Sequence, residues 1–251
     1  MATLLLKKSY LIKDLKEIKF KDLWNDYGVF TTMRVVGKNK KILFFKNHVE
    51  NLMRSLKIYG LNKTNLKKNI LKIIKNSLSK NTNYNHLLRV AINKKMISIS
   101  LRKRNKPKLN FKLKLLNYKR IDPSHKNLKY KKILNYLKKL DNTEYDIALH
   151  KNKKFLETGT SNLLFIKNNR VYSPKNNFYS GITFKFFCKK IKINLRDIYL
   201  KNINSFDEIL LIGSGKAVTS VFRIDELKWK RKSLNFFNKL NKIYQKKINY
   251  A

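Results

Sequence analysis

Lys132–Leu137 reads K-I-L-N-Y-L, and Glu157–Phe165, further along, reads E-T-G-T-S-N-L-L-F. An amine in the first stretch and a carboxylate in the second are residue types that hold an electrophile and pair with a cationic ring. Neither is informative alone. The chain has 59 Lys and Arg, so most of its lysines are solvated surface charge, whereas Glu157 is one of only 15 acidic residues. The second stretch also carries context: a Thr-Gly-Thr-Ser-Asn turn followed by an apolar strand, Leu163–Ile166.

Outward from these stretches, glycine punctuates the chain. Of seven glycines, Gly37 and Gly60 read as ordinary turn or helix-end residues, while Gly28, Gly159, Gly181, Gly213 and Gly215 fall inside motifs. Residues 1–22 give a vague strand and a polar helix or turn. Gly28–Val36, G-V-F-T-T-M-R-V-V, is rich in β-branched and aromatic residues and reads as a strand, with a second strand over Ile42–Phe45. Asn47 is placed to cap a helix whose Val49, Leu52, Met53 and Leu56 share one face, and a second amphipathic helix runs from about Asn65. Leu88–Ile92 and Ile97–Leu101 alternate as a hairpin. Arg104–Leu109, R-N-K-P-K-L, is the linker, dividing the chain into residues 1–105 and 106–251. Beyond it the pattern predicts a strand over Phe111–Leu116, a helix over Leu128–Leu140, and a strand over Tyr145–Leu149. It then predicts a hairpin turning at Asn168-Asn169, a helix over Ile182–Ile191, strands over Asn194–Tyr199 and Glu208–Ile212, and a last helix over Ser233–Tyr244.

Composition narrows the class. The chain has 251 residues, 43% of them apolar, enough for one large domain or two modest ones with a buried core. One cysteine, Cys188, excludes an internal disulfide, and four scattered histidines make no metal-ligand cluster. No run reaches the length of a membrane span, and Leu4–Leu6 before Lys7 and Lys8 is too short for a signal-peptide core, so a cytoplasmic protein with no membrane partner is expected. The net charge of +44 is spread along the whole chain, with abundant Asn and Ile and little Arg. That pattern reads as AT-rich codon drift and not as a nucleic-acid footprint, which would be clustered and richer in Arg. It still attracts anionic substrates.

In this order the motifs resemble the pyridoxal-phosphate enzymes of fold type IV, the class IV aminotransferase family, over about Gly28–Val221. The resemblance implies an α+β fold of two domains, a small N-terminal α/β domain and a larger C-terminal β-barrel-like α/β domain, with pyridoxal 5′-phosphate in the cleft between. It also implies a homodimer. In the family the Schiff-base lysine lies a few residues before an asparagine, here Asn135, which selects Lys132 over Lys131; burial beside other positive groups would ease loss of its proton. The family's E-G-x-x-S-N-x-F segment, with the glycine one place later here, makes Glu157 the carboxylate facing the pyridine nitrogen. Tyr136 stands where branched-chain enzymes bond the ring oxygen with a tyrosine. Gly181-Ile182-Thr183, opening a helix, and Gly213-Ser214-Gly215, after a strand, match the two phosphate-binding turns. Phe184 replaces the family's Arg after the first of them. In F-F-K-N-H-V-E-N-L-M-R-S-L, Asn51 occupies the place of the phosphate-clamping Arg of H-x-x-R-L, and Arg54 lies about one helical turn on.

The strand D-Y-G-V-F-T-T-M-R-V, Asp26–Val35, chooses among reactions. Its F-T-T-x-R resembles aminodeoxychorismate lyases, where branched-chain enzymes have F-E-G-x-R. Thr31 and Thr32 face opposite sides, so one can bond a substrate carboxylate or give a proton to a departing enol. The resemblance thus implies a lyase acting on a small anionic amino substrate, with Lys132 as general base. Tyr136 favours an aminotransferase instead. A third reading, from Asn51, is a basic binding protein on a catalytically impaired scaffold.

Overall fold

A computed structural model describes residues 4–79 and 82–249. In chain order the elements are β1 (Leu4–Leu11), β2 (Glu17–Ile18), β3 (Gly28–Gly37), β4 (Lys41–Ile42), α1 (Phe45–Ile58), α2 (Leu66–Asn76), β5 (Tyr84–Asn93), β6 (Met96–Lys103), β7 (Phe111–Asn117) and α3 (Lys131–Leu137). There follow β8 (Tyr145–Lys151), β9 (Lys154–Thr158), β10 (Asn162–Lys167), β11 (Arg170–Ser173), α4 (Ile182–Cys188), β12 (Ile193–Leu195), β13 (Glu208–Gly213), β14 (Ala217–Ile224), β15 (Trp229–Lys230) and α5 (Asn235–Asn249). The fold is α+β, and the chain divides into two compact units. The first runs to Arg104 and takes in His125–Lys131; the second comprises Asn105–Ser124 and residues from Lys132.

In the first unit six strands pair in the order β2-β1-β6-β5-β3-β4. Alternation along β3 decides what its faces do. Val29, Met33 and Val35 join the core with Leu52 and Leu56 of α1 and Ile70, Ile73 and Ile74 of α2, while Phe30 packs on the opposite face with Leu23, Ala91, Met96 and Leu128. Each such large apolar side chain contributes about 1.5–3 kcal/mol on burial. Gly37 and Gly60 sit at φ 72° and 63°, closing β3 and α1.

Two local expectations fail here. The second strand stops at Ile42, because Phe44 takes φ 56° and swings the chain into α1, which therefore begins before Asn47 and is not capped by its side chain. The helix expected over Leu128–Leu140 is only Lys131–Leu137. Its first residues turn instead: Leu128 N donates to Gly28 O at 2.9 Å, Asn25 N donates to Leu128 O at 2.9 Å, and Tyr130 N donates back to Leu128 O at 2.7 Å. Burying Leu128 against Phe30 outweighs the helical pattern, and it ties this segment to the first unit.

His48 of α1 is buried, and its Nδ1 lies 2.8 Å from Thr31 Oγ1. Burial, then the nearby charge of Lys126, lowers the imidazole pKa to about 3. The unfolded chain therefore binds this proton first, so the contribution of His48 to stability is full above about pH 6.5. It is lost toward pH 3 at roughly 1.4 kcal/mol per pH unit. Thermal unfolding of the first unit is expected to fall steeply between pH 6.5 and 4, and His48→Gln is expected to flatten that slope.

In the second unit nine strands form a mixed sheet, β12-β11-β10-β13-β14-β7-β8-β9, with β15 on β14. β7 runs parallel to both β14 and β8. The core gathers Phe111, Phe155, Phe165, Phe206, Ile209, Val221 and Trp229. Asn168 and Asn169, at φ 48° and 57°, make the two-residue turn between β10 and β11 that the sequence predicts. The helix predicted to Ile191 ends at Cys188, and the strand predicted over Asn194–Tyr199 is the three-residue β12. Glu208 of β13 accepts from Phe236 N at 2.8 Å and Phe237 N at 2.9 Å, capping α5.

Candidate active site

Glu157 and Asn162 flank the turn that joins β9 to β10. Glu157, next to the end of β9, is buried. Its Oε1 accepts from Arg120 Nε at 2.6 Å, and both side chains are almost wholly out of solvent, at 2% and 7% exposed. Its Oε2 accepts from Tyr179 N at 3.2 Å. Arg120 is fixed in turn by Pro123 O, 2.8 Å from its Nη2. Pairing with a guanidinium favours the ionised carboxylate, as an acceptor facing a ring N–H requires. Sequence reading missed Arg120, since nothing in its neighbourhood marks it.

Asn162 explains the rest of the T-x-S-N pattern. Its Nδ2 donates to Tyr179 O at 2.6 Å and its Oδ1 accepts from Gly181 N at 3.2 Å. Glu157 and Asn162 thus clamp together the loop that leads into α4. That helix is only seven residues long, so its dipole contributes little. The informative group is Thr183: buried, with an Oγ1 that has no hydrogen-bond partner. A buried hydroxyl left unpaired costs about 1–3 kcal/mol, which a ligand acceptor would recover. Ile182, beside it, is buried too.

Gly213 ends β13, and Ser214 and Gly215 make the turn to β14. A Cβ at residue 213 would stand 2.9 Å from Ser161 Oγ and displace it, so the two turns approach closely at this glycine. Lys216, which follows the turn, is buried, and its Nζ donates to Asn142 O at 2.7 Å.

Lys132 departs from expectation. It is exposed on α3, with its Nζ 4.6 Å from the centroid of the Tyr118 ring, and not buried among positive groups. Exposure leaves the amine open to an incoming aldehyde. Tyr136 is also exposed, so it is no core aromatic; Ile133 and Leu137 form the buried face of α3. In the first unit, Thr31 is engaged with His48, whereas Thr32 is half-buried on the face shared with Phe30 and Arg34. Asn51 is half-buried and Arg54 exposed.

An open amine, a clamped carboxylate, an orphaned buried hydroxyl and a turn with no room for a Cβ fit a cofactor that carries an aldehyde, a ring nitrogen and a phosphate. No group of three or more His, Cys, Asp or Glu that could hold a metal ion occurs among the described residues, and no helix among them is long and apolar enough to cross a membrane.

Comparison with known proteins bears on this arrangement. The family model for amino-transferase class IV matches residues 28–224. No curated protein matches the sequence. Among solved structures, the branched-chain aminotransferase from Thermoproteus uzoniensis with norvaline is 17% identical with a TM-score of 0.77, over 95% of this chain and 93% of that one. A putative 4-amino-4-deoxychorismate lyase from Legionella pneumophila is 19% identical with a TM-score of 0.71, over 88% and 91%. An aminotransferase from Brucella abortus bound to pyridoxal phosphate is 15% identical with a TM-score of 0.74, over 96% and 98%. At these identities the likeness is one of fold.

Proposed function

Because this chain belongs to the class IV aminotransferase family, whose members work through pyridoxal 5′-phosphate, we propose that it is a lyase releasing pyruvate and 4-aminobenzoate from 4-amino-4-deoxychorismate. The observation that carries the choice is the F-T-T-x-R strand, in which Thr31 is held by His48 and Thr32 shares the other face with Phe30 and Arg34. When bound, the cofactor supplies an electron sink for charge developing at the substrate carbon. Lys132 would hold the aldehyde and then serve as the base that moves a proton at the substrate carbon, a role suited to an amine on an open helix face. Glu157, oriented by Arg120 and Tyr179 N, would accept from the ring nitrogen. Thr183 Oγ1, Ile182 and the Gly213-Ser214 turn would hold the phosphate. Thr32 donates a proton to the departing enol oxygen.

Tyr136 supports a second reading, an aminotransferase of the same family. The two separate cleanly in one assay: the purified chain is given pyridoxal 5′-phosphate and aminodeoxychorismate, and pyruvate is followed. Release of pyruvate supports the lyase. Amino transfer to a keto acid without pyruvate removes it, and a chain that takes up no cofactor supports a binding protein that has lost the chemistry.

Asn51 offers an independent check on α1. The family's Arg at this position clamps the phosphate, and a charged hydrogen bond contributes about 1.5–3 kcal/mol. Asn51→Arg is therefore expected to tighten cofactor binding at least about tenfold by absorbance titration of the cofactor-free protein. Unchanged affinity would mean that α1 has no part in holding the phosphate.

A further inference from the structure

Asp146 lies on β8, completely buried, and the reaction proposed above does not use it. Its surroundings are specific. Oδ1 accepts from Ile147 N at 2.8 Å. Oδ2 accepts from Thr158 Oγ1 at 2.9 Å and Thr160 Oγ1 at 2.5 Å. The two threonines are the ones in E-T-G-T-S-N, so this carboxylate grips the turn immediately after Glu157.

Proton bookkeeping explains why a carboxylate stands there. Thr158 Oγ1 already accepts from Ser161 N at 2.9 Å and from Thr160 N at 3.2 Å, filling both its lone pairs. Its single hydrogen must point outward, and Asp146 Oδ2 is the nearer acceptor; Ser161 O is at 3.2 Å. Thr160 sends its hydrogen to the same oxygen. An amide nitrogen in that place would meet a third donor's demand on Thr158. Only an acceptor-only group satisfies the turn, and an ionised oxygen gives the shorter, stronger bonds.

What the turn touches gives the grip its meaning. Gly159 N donates to Ile147 O at 2.9 Å, and a Cβ at residue 159 would come 3.0 Å from Asp146 Oδ1 and 3.3 Å from Ile133 Cγ2, the neighbour of Lys132. Ser161 Oγ is the atom that a Cβ at Gly213 would meet. Glu157 precedes the turn and Asn162 follows it. One four-residue segment therefore abuts the amine's helix, the ring-facing carboxylate and a phosphate turn.

We propose that Asp146 is a positioning residue: its ionised carboxylate sets the 158–161 turn, from which Glu157, Gly213 and the helix of Lys132 take their mutual placement. The consequence for the cofactor rests on the proposed function; the setting of the turn does not.

The test uses Asp146→Asn, Thr158→Val, Thr158→Ser and the double variant Asp146→Asn/Thr158→Val in the full chain. In the cofactor-free protein, hydrogen exchange at the Thr160 and Ser161 amides is expected to rise at least about tenfold in Asp146→Asn, with β13 amides unchanged. The Kd for pyridoxal 5′-phosphate is expected to rise about tenfold or more, the equivalent of one lost charge-assisted bond. Thr158→Ser, which keeps the hydroxyl, is expected to stay within about threefold of the parent, and the double variant to be no worse than the worse single one. Unchanged exchange and Kd in Asp146→Asn, or strictly additive effects in the double variant, would overturn the assignment. Should Asp146→Asn fail to fold, Thr160→Val removes one donor at an exposed residue: faster Ser161 exchange supports the proposal and unchanged exchange overturns it. A parent chain that takes up no cofactor strikes at the proposed function, while the exchange measurement still decides the turn.

Discussion

On the proposed function, Lys132→Ala is expected to lower kcat by about 10³-fold or more, since it would remove a covalent anchor together with a general base, and such a base by itself contributes about 10²–10⁴-fold. The side chain is exposed, so stability should move by no more than about 0.5 kcal/mol. Lys131→Ala, one place earlier on the same helix, is expected to leave turnover nearly intact. Borohydride reduction of the parent protein with pyridoxal 5′-phosphate should fix the cofactor mass on the peptide containing Lys132, and that label should vanish in Lys132→Ala. A label that persists on another lysine would remove the assignment and the mechanism with it.

The second large effect is on stability. Arg120→Leu strands Glu157 as a buried carboxylate whose partner at 2.6 Å is gone, a change that costs about 3–5 kcal/mol. For a chain of this size that lowers Tm by roughly 6–20 °C. Leucine at both positions removes the unpaired charge, so the double variant Arg120→Leu/Glu157→Leu should recover most of the lost Tm and, on the proposed function, bind cofactor poorly because the carboxylate proposed to face the ring is absent. Unfolding followed by circular dichroism, with cofactor titration alongside, separates the two consequences. A double variant no more stable than Arg120→Leu would show that the ion pair is not what the substitution disturbs.

Local signals carried much of this fold. β3, β5 and β6 were legible because their side chains alternate between a helix-covered core and an opposite face, and the Asn168-Asn169 turn because only a few residues accept two left-handed conformations in a row. The failures share a cause: a distant partner outweighed a local pattern. Leu128 carries helical spacing, yet its burial against Phe30 keeps its segment out of the helix. Phe44 gave no sign that it would turn through φ 56°. In the second unit the motif order pointed to Glu157 and Thr183, but nothing pointed to what surrounds them. Arg120 lies 37 positions from Glu157, and Asp146 lies 12 from Thr158 on a different strand. Asp146 and Thr158 are brought together by the pairing of β8 with β9, and Arg120 reaches Glu157 from the loop after β7, neither of which one sequence displays. Thr31 and Thr32 looked equivalent in F-T-T-M-R until His48 was seen to engage the first.

The loop by which His125–Lys131 returns to pair with Gly28 and Asn25 also governs how the polypeptide can be cut and made. A fragment ending at Arg104 would lack Leu128 and leave Phe30, Ala91 and Met96 facing water, so the amino-terminal half is no autonomous piece. During synthesis it stays unfinished until the ribosome has released the segment immediately ahead of Lys132. The last residues to complete one half are thus joined directly to the first helix of the other.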